Sequence, residues 1–401
     1  MEIRSITLFC DPDFAAMQAS VFFAEARTAF PFPMQTTRVA TPPFPDWWGV
    51  TRLEPAAIQT AAAAFAQRWQ AAGADYIALG PVKLVHDAQW LRIIPALLAA
   101  TDVLFTTAEI ANTQGQIDVA RCFAVADVIK RAATITADGF GNLYFTALAN
   151  CPPGSPFFPV AYHRGGEPAF AVAVEAADLA RTAFQSAQNL VEARANLIVA
   201  VEAAAEKITA VAQNLAATHR IPFHGIDFSL APFPTSSQSL AGAMEDLGVP
   251  FVGASGSLFA AAFITEALGR AQFQRCGFSG LMLPVLEDSV LARRAGDGMV
   301  TVNDLLGYAA VCGVGLDTVP LPGAINQASL AAILLDVAAL ATRLDKPLTA
   351  RLMPLPGLQA GDPVTFDFPY FAASRVMAVN GAGADGLLKK ASVLGLRPYH
   401  G

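Results

Sequence analysis

The chain has 401 residues, of which 54% are hydrophobic and only 15% charged, the reverse of the balance that leaves a chain disordered. A formal net charge of -7, a pI near 5.3 and the lack of any Lys/Arg cluster argue against a nucleic-acid partner, because counterion release needs a basic face. Five widely spaced cysteines, Cys10, Cys122, Cys151, Cys276 and Cys312, form no CxxC pair and read as reduced thiols rather than a disulfide framework or a zinc knuckle.

The opening "MEIRSITLFC" goes straight into a β-rich run without the basic, apolar and small-residue order of a signal peptide, so a cytoplasmic protein is expected. A helix spanning Pro55 to Ala72 is set by proline near its first turn and ended by Gly73. Short buried strands follow at "DYIALG" (Asp75 to Gly80), "VLFTTAEI" (Val103 to Ile110) and "LYFTALA" (Leu143 to Ala149). The longest charge-free stretch, Gly139 to His163, is interrupted by Asn150, Pro152, Pro153, Gly154, Pro156 and Pro159, which rules it out as a membrane-spanning helix. Residues 172–217 read as two packed helices, a subdomain or dimer surface. Strands at "IDFSLAP", "VPFVG", "GLMLPVLED", "GVGLDTVP" and "ARLMPLP" alternate with helices at Ser236 to Leu247, after the capping-box pattern Thr301 to Asp304, and at Leu330 to Leu344. Residues 357–379 alternate like an antiparallel ribbon at a rim, ending in "SRVMAV".

Near-continuous apolar strands separated by helices require a sheet covered on both faces, hence an α/β fold, doubly wound or barrel, with about ten strands. No linker divides residues 1–401, which are read as one large unit. Polar residues gather where strands end: Asp227 and Ser229, Ser279, Glu287 and Asp288, Asp317, and Arg351. In α/β barrels strand ends converge on one mouth, which makes these residues candidates, although Glu287 and Asp288 could equally cap the helix after them. Cys312 is either an activated thiol in a Gly-rich turn or a small buried hydrophobe. Asp317 sits in a wholly apolar neighbourhood and needs a partner if buried; Arg351 would supply it as a structural salt bridge. His163 and Glu167 in "AYHRGGEPAF" have the spacing of a ligand pair or an acid/base couple. His86, His219 and His400 look peripheral. The motif "GAGADG", Gly381 to Gly386, lacks a second strand and a ribose-binding acid, and no nucleotide-cofactor motif is complete.

At "IPFHGIDFSLAPFP", "GFSGLMLPVLED", "VCGVGLDTVPLPG" and "ARLMPLPGLQAGDPV", and earlier at "TDVLFTTAEIANTQGQIDVA" and "YHRGGE", the chain resembles domain of unknown function 711, also called uncharacterised protein family 210. That resemblance implies a ten-stranded α/β barrel of two antiparallel five-stranded halves, like the pyruvate formate-lyase-like glycyl radical enzymes. It implies no activity and no catalytic residues. Arg375-Val376-Met377-Ala378 carries alanine where a radical glycine would stand, so no glycyl radical chemistry is expected. "YHRGGE" and "ANTQGQID" depart from the usual family blocks, which puts this member's ligand in question.

The function expected is an enzyme acting on a small anionic metabolite at the barrel mouth. Cys312, Asp317 and Glu287 would be its catalytic groups, and His163, Glu167, Asp227, Ser229, Ser279, Asp288 and Arg351 would bind substrate. The alternative is a non-catalytic metabolite-binding or regulatory protein on the same barrel. A divalent metal is compatible with the carboxylates, the cofactor is unknown, and a homodimer is expected.

Overall fold

The computed structural model describes residues 1–49 and 54–399; His400 lies outside them. The chain begins with β1 (Glu2–Phe9), α1 (Ala16–Ala29), β2 (Met34–Ala40), α2 (Pro55–Ala71), β3 (Tyr76–Val82), α3 (Ile94–Leu98), β4 (Leu104–Ala111), β5 (Gln116–Asp118), α4 (Val119–Ala132) and β6 (Phe145–Ala149). Beyond a loop of residues 150–168 come β7 (Ala169–Glu175), α5 (Ala177–Gln185), α6 (Leu190–His219), β8 (Phe223–Ala231), α7 (Leu240–Asp246), α8 (Ser257–Arg270), α9 (Ser289–Gly296) and α10 (Val302–Val311). The last elements are β9 (Gly315–Pro322), α11 (Gln327–Arg343), β10 (Leu348–Leu355), β11 (Pro363–Val364), β12 (Ser374–Arg375) and β13 (Val393–Gly395).

The fold is mixed α/β around one large sheet ordered β8-β7-β1-β2-β3-β4-β6-β10-β9. Neighbours run parallel except at two seams, β1 with β7 and β6 with β10, where two parallel blocks meet head to tail. Among the described residues β8 and β9 do not pair with each other, so the expected closed ten-stranded barrel is not formed by regular ladders. Among the described residues the intervening segment forms no ladder with either edge and makes only isolated backbone bridges, Arg275 beside Ile226 and Pro284 beside Asp317. It is kept from becoming a strand by Gly277 at φ +59, Ser279 at φ +41, and Pro284, which has no N–H to donate. "VPFVG", with Pro250 and with Gly253 at φ +110, makes only a single bridge, and "SRVMAV" contributes two strand residues.

Alternation along the strands separates two cores. Leu8, Val39, Ile77 and Leu104 face the helices, while their neighbours Phe9, Ala40, Ala78 and Phe105 pack against Phe158 and Ala161 of the 150–168 loop. The loop therefore covers the face of the sheet opposite the helices. It is pinned there by Thr7 Oγ1 donating to Pro156 O at 3.4 Å and His163 N donating to Thr41 O at 3.0 Å, while Tyr162 Oη donates to Cys151 O within the loop at 2.9 Å. The stretch 172–217, expected to be two helices, starts as the end of β7 before α5 and α6 begin.

Candidate functional site

Two β-bulges aim charged side chains into the space between sheet and loop. In the β1/β7 ladder the register slips between Ile3 and Ser5, which makes Arg4 the extra residue. Without that slip Arg4 would share the helix-facing side with Ile6 and Leu8; with it, Ile3 takes the helix side and Arg4 the loop side. In the β9/β10 ladder the register slips between Ala350 and Leu352, so that Arg351 stands opposite both Asp317 and Thr318. Thr318 pays for this with φ +43, rare for a β-branched residue, and its Oγ1 accepts from Leu286 N at 3.2 Å. That bond and Val285 N to Asp317 O at 3.0 Å deliver Glu287 to the same place.

The result is a line of alternating charges. Arg351 Nε donates to Asp317 Oδ1 at 2.5 Å, Arg351 Nη2 to Glu287 Oε1 at 2.9 Å, and Arg4 Nη2 bonds Glu287 Oε2. Burial opposes ionisation of Glu287, but the guanidiniums of Arg4 and Arg351 outweigh it and hold the carboxyl below its usual range. Burial pushes Asp317 up, against the pull of Arg351.

Arg38 on β2 lies beside this line and differs from it. Its Nε donates to Thr36 Oγ1 at 2.9 Å, and its guanidinium sits 4.9 Å from the Phe158 ring and 5.5 Å from the Tyr76 ring. Among the described residues no carboxylate lies within ion-pair distance of it, although it is only 7% exposed. Burial first, and then the like charge of Arg4, lower its pKa to about 9, so it remains cationic at neutral pH. Arg38 lines a small cavity that opens to solvent at its mouth. Arg4, Arg351 and Glu287 share its wall, and Phe368 and Tyr370 overhang it from the stretch between β11 and β12. Behind it Gln35 Nε2 donates to Glu175 Oε2 at 2.9 Å and to Glu2 Oε2 at 3.1 Å. Glu175 is buried with its Oε1 unpartnered, and burial raises its pKa to about 7.

The structure thus joins Glu287, Asp317 and Arg351 of the expected residues, and leaves the others elsewhere. Cys312 caps the end of α10, buried and absent from the cavity wall, with Lys346 Nζ on its carbonyl; burial raises the thiol to about 11. Asp288 caps two helices at once. Its Oδ1 accepts from Val290 N and Leu291 N at the start of α9, and its Oδ2 from Leu240 N and Ala241 N at the start of α7. Asp227, Ser229 and Ser279 form a clasp: Asp227 Oδ1 accepts from Ser229 Oγ and Ser279 N, and Oδ2 from Phe278 N, fastening the 276–279 turn to β8. His163 is buried and Glu167 exposed, and among the described residues no hydrogen bond joins them. A second cleft at the opposite strand ends is lined by Cys151, Arg164, His224 and Cys276. Among the described residues no group of three or more His, Cys, Asp or Glu is placed to hold a metal ion, and no helix is long and apolar enough to cross a membrane.

Arg4, Arg38, Gln35 and Tyr76 escape a reading based on the C-terminal ends of strands, and Glu175, the last residue of β7, escapes it because residues 172–217 read as helix. The criterion applied to Asp317, an ionisable group inside an apolar strand, would have found Arg38 in "TTRVA".

Fold and site together define an α/β protein with a bulge-built arginine cluster over a small cavity. The profile of the family described as Uncharacterised ACR (DUF711) matches residues 14–372, and the chain belongs to that family. It is similar to a UPF0210 protein of Pyrobaculum arsenaticum, with 37% identity over 248 residues, 59% of this chain and 55% of the relative. A UPF0210 protein of Pyrobaculum islandicum is 34% identical over 286 residues, 69% of this chain and 62% of the relative. For that of Pelotomaculum thermopropionicum the figures are 30% over 347 residues, 82% and 72%. The matched stretches span between half and two thirds of the first of these relatives.

Proposed function

We propose that the protein binds one small organic anion in the Arg38 cavity. The observation that carries this reading is a guanidinium 7% exposed, facing a cavity, with no carboxylate beside it among the described residues. A buried charge is costly unless paired, and Arg4 and Arg351 are paired; Arg38 is left for a ligand. Glu287 and Asp317 are engaged by arginines, which moves them from the catalytic role expected of them to holding the cationic wall.

A second reading, an acid–base enzyme on the same anion, is favoured by Glu175, whose carboxyl at about 7 is poised to exchange a proton and is linked to the cavity wall through Gln35. Ala378 supports a mechanism without a glycyl radical in either case. We also propose that residues 274–286 serve as the tenth staves of a barrel of the pyruvate formate-lyase-like kind. The two antiparallel seams, which leave β7, β8, β9 and β10 running opposite to the five strands between them, and the parallel bridges at Arg275 and Pro284 support this. A homodimer through α6 and α8 is supported by the exposed Val191, Leu258 and Phe259, and a cytoplasmic location by the reduced cysteines.

Isothermal titration of wild type and Arg38→Gln with sodium acetate and sodium benzoate tests the main reading. Saturable binding to wild type, at least about tenfold weaker in the variant, is expected for at least one of the two. Equal binding to both proteins, or none, overturns it.

A further inference from the structure

We infer that the anion is a planar, aromatic carboxylate carrying a single negative charge; this rests on the reading of the Arg38 cavity as an anion site. Charge comes first. Three guanidiniums meet at the cavity, but Glu287 bridges Arg4 and Arg351, and Asp317 holds Arg351 again. Only Arg38 leaves its two terminal nitrogens without a protein acceptor among the described residues. A phosphate or a polycarboxylate brings two or more charges. To match them Arg4 or Arg351 would have to turn away from Glu287 or Asp317, stranding a carboxylate on a residue no more than 4% exposed.

Geometry of the donor comes second. The Arg38 guanidinium is held between the Phe158 and Tyr76 rings, and Nε is consumed by Thr36. What remains is one edge of a planar fork, which matches the two oxygens of a carboxylate.

The walls come third. Tyr76 and Phe105 lie edge to face with centroids 5.2 Å apart, and Phe105 and Phe158 likewise at 5.3 Å. From the other side Phe368 and Tyr370 reach over the cavity, both half-buried. Their backbone stretch is fixed by Phe371, which packs on Phe140, so the two rings are held in place with free surface toward the cavity. A flat ring joined to a carboxylate would cover that surface with the offset and edge contacts aromatic groups prefer.

The test is a comparative titration of the wild-type protein with benzoate, cyclohexanecarboxylate, acetate and inorganic phosphate. Benzoate is expected to bind at least about thirtyfold more tightly than acetate and about fivefold more tightly than cyclohexanecarboxylate, with phosphate weakest. Tyr370→Ala, a change at the half-buried rim that does not threaten the core, should cost benzoate about fivefold and leave acetate unchanged. Benzoate no better than cyclohexanecarboxylate or acetate, or phosphate binding most tightly, overturns the planar monocarboxylate while the anion site stands. No binding of any of the four removes both.

Discussion

Arg351 Nε and Asp317 Oδ1 lie 2.5 Å apart on neighbouring parallel strands, and both residues are at most 3% exposed. Two charges taken so far from water are stable only together, because each alone has lost its hydration without compensation. Arg351→Ala would strand Asp317 and half of the acceptor capacity of Glu287, and is expected to lose about 3–5 kcal/mol in urea unfolding. The double replacement Arg351→Met with Asp317→Leu should recover most of that loss. A single variant within 1 kcal/mol of wild type would mean that the pair is not held as described.

Glu175 predicts a pH dependence of the opposite sign to that of a salt-bridged acid. Burial raises its carboxyl from 4.5 to about 7, so the folded chain keeps a proton that the unfolded chain releases. At pH below 4.5 both states are protonated and nothing is lost. Between there and about 7 stability should fall as pH rises, by about 3 kcal/mol at most, and the loss is complete above that. Glu175→Gln removes this segment of the curve: denaturant titrations at pH 5 and pH 8 should show a smaller drop for the variant. Parallel curves for both proteins would assign the dependence to another group.

How much of this could be read from sequence depends on the kind of residue. Strands such as "VLFTTAEI" announce themselves because both faces are dry and apolar or β-branched residues fill them except at Glu109. β2, "MQTTRVA", did not, because its interior side carries Thr36 and Arg38 toward the cavity. β7, "AFAVAVE", is alanine-rich next to alanine-rich helices, so composition placed most of it with them. Asp317 and Arg351 were legible as a pair because a buried charge demands an opposite one. Arg4 was not: two-residue periodicity groups it with Ile6 and Leu8, and only a bulge, which leaves no mark on hydrophobic patterning, turns it inward.

Asp288 supports two helices with one carboxylate, and its removal should cost more than an ordinary cap. Four backbone N–H groups, from Leu240, Ala241, Val290 and Leu291, lose their acceptor in Asp288→Ala, at a site with no access to water. With about 1 kcal/mol or more per cap and the added cost of buried orphan donors, a loss of about 3–4 kcal/mol is expected. Ser239→Ala removes the hydroxyl cap on Gly242 N and the Ser239 Oγ donor to Asp288 Oδ1 but leaves all four N–H groups their acceptor, and should lose less, about 1–2 kcal/mol. Similar midpoints for the two variants in thermal unfolding would remove the double-cap account.

The thiols should be silent in the native state. Four of the five cysteines are buried, Cys276 partly so, and burial raises Cys312 to about 11 and Cys122 to about 12. A thiolate is the reacting species, so at pH 8 Ellman's reagent should titrate fewer than one thiol per native chain within minutes, with Cys276 the first to react, and all five in guanidinium. Rapid labelling of Cys312, located by peptide mapping, would restore it as a nucleophile. Cys312→Ala should leave anion binding unchanged, since its side chain is not on the cavity wall.

Gly277 and Asp227 give a test of the clasp that fixes the segment beside β8. Gly277 has φ +59, and a Cβ built on it would stand 2.1 Å from Asp227 Oδ2 and 2.6 Å from its Cγ. Asp227 cannot retreat without releasing Phe278 N and Ser279 N, each held at 3.0 Å. Gly277→Ala therefore combines a left-handed backbone with a forced displacement and should lose about 3 kcal/mol or more, and Asp227→Ala about 2 kcal/mol or more through its three orphaned donors, Ser229 Oγ, Phe278 N and Ser279 N. In the double variant the methyl group meets no carboxylate, so the combined loss should fall short of the sum by at least 1 kcal/mol. Strict additivity across that cycle, measured by urea unfolding, would mean that the two residues do not touch.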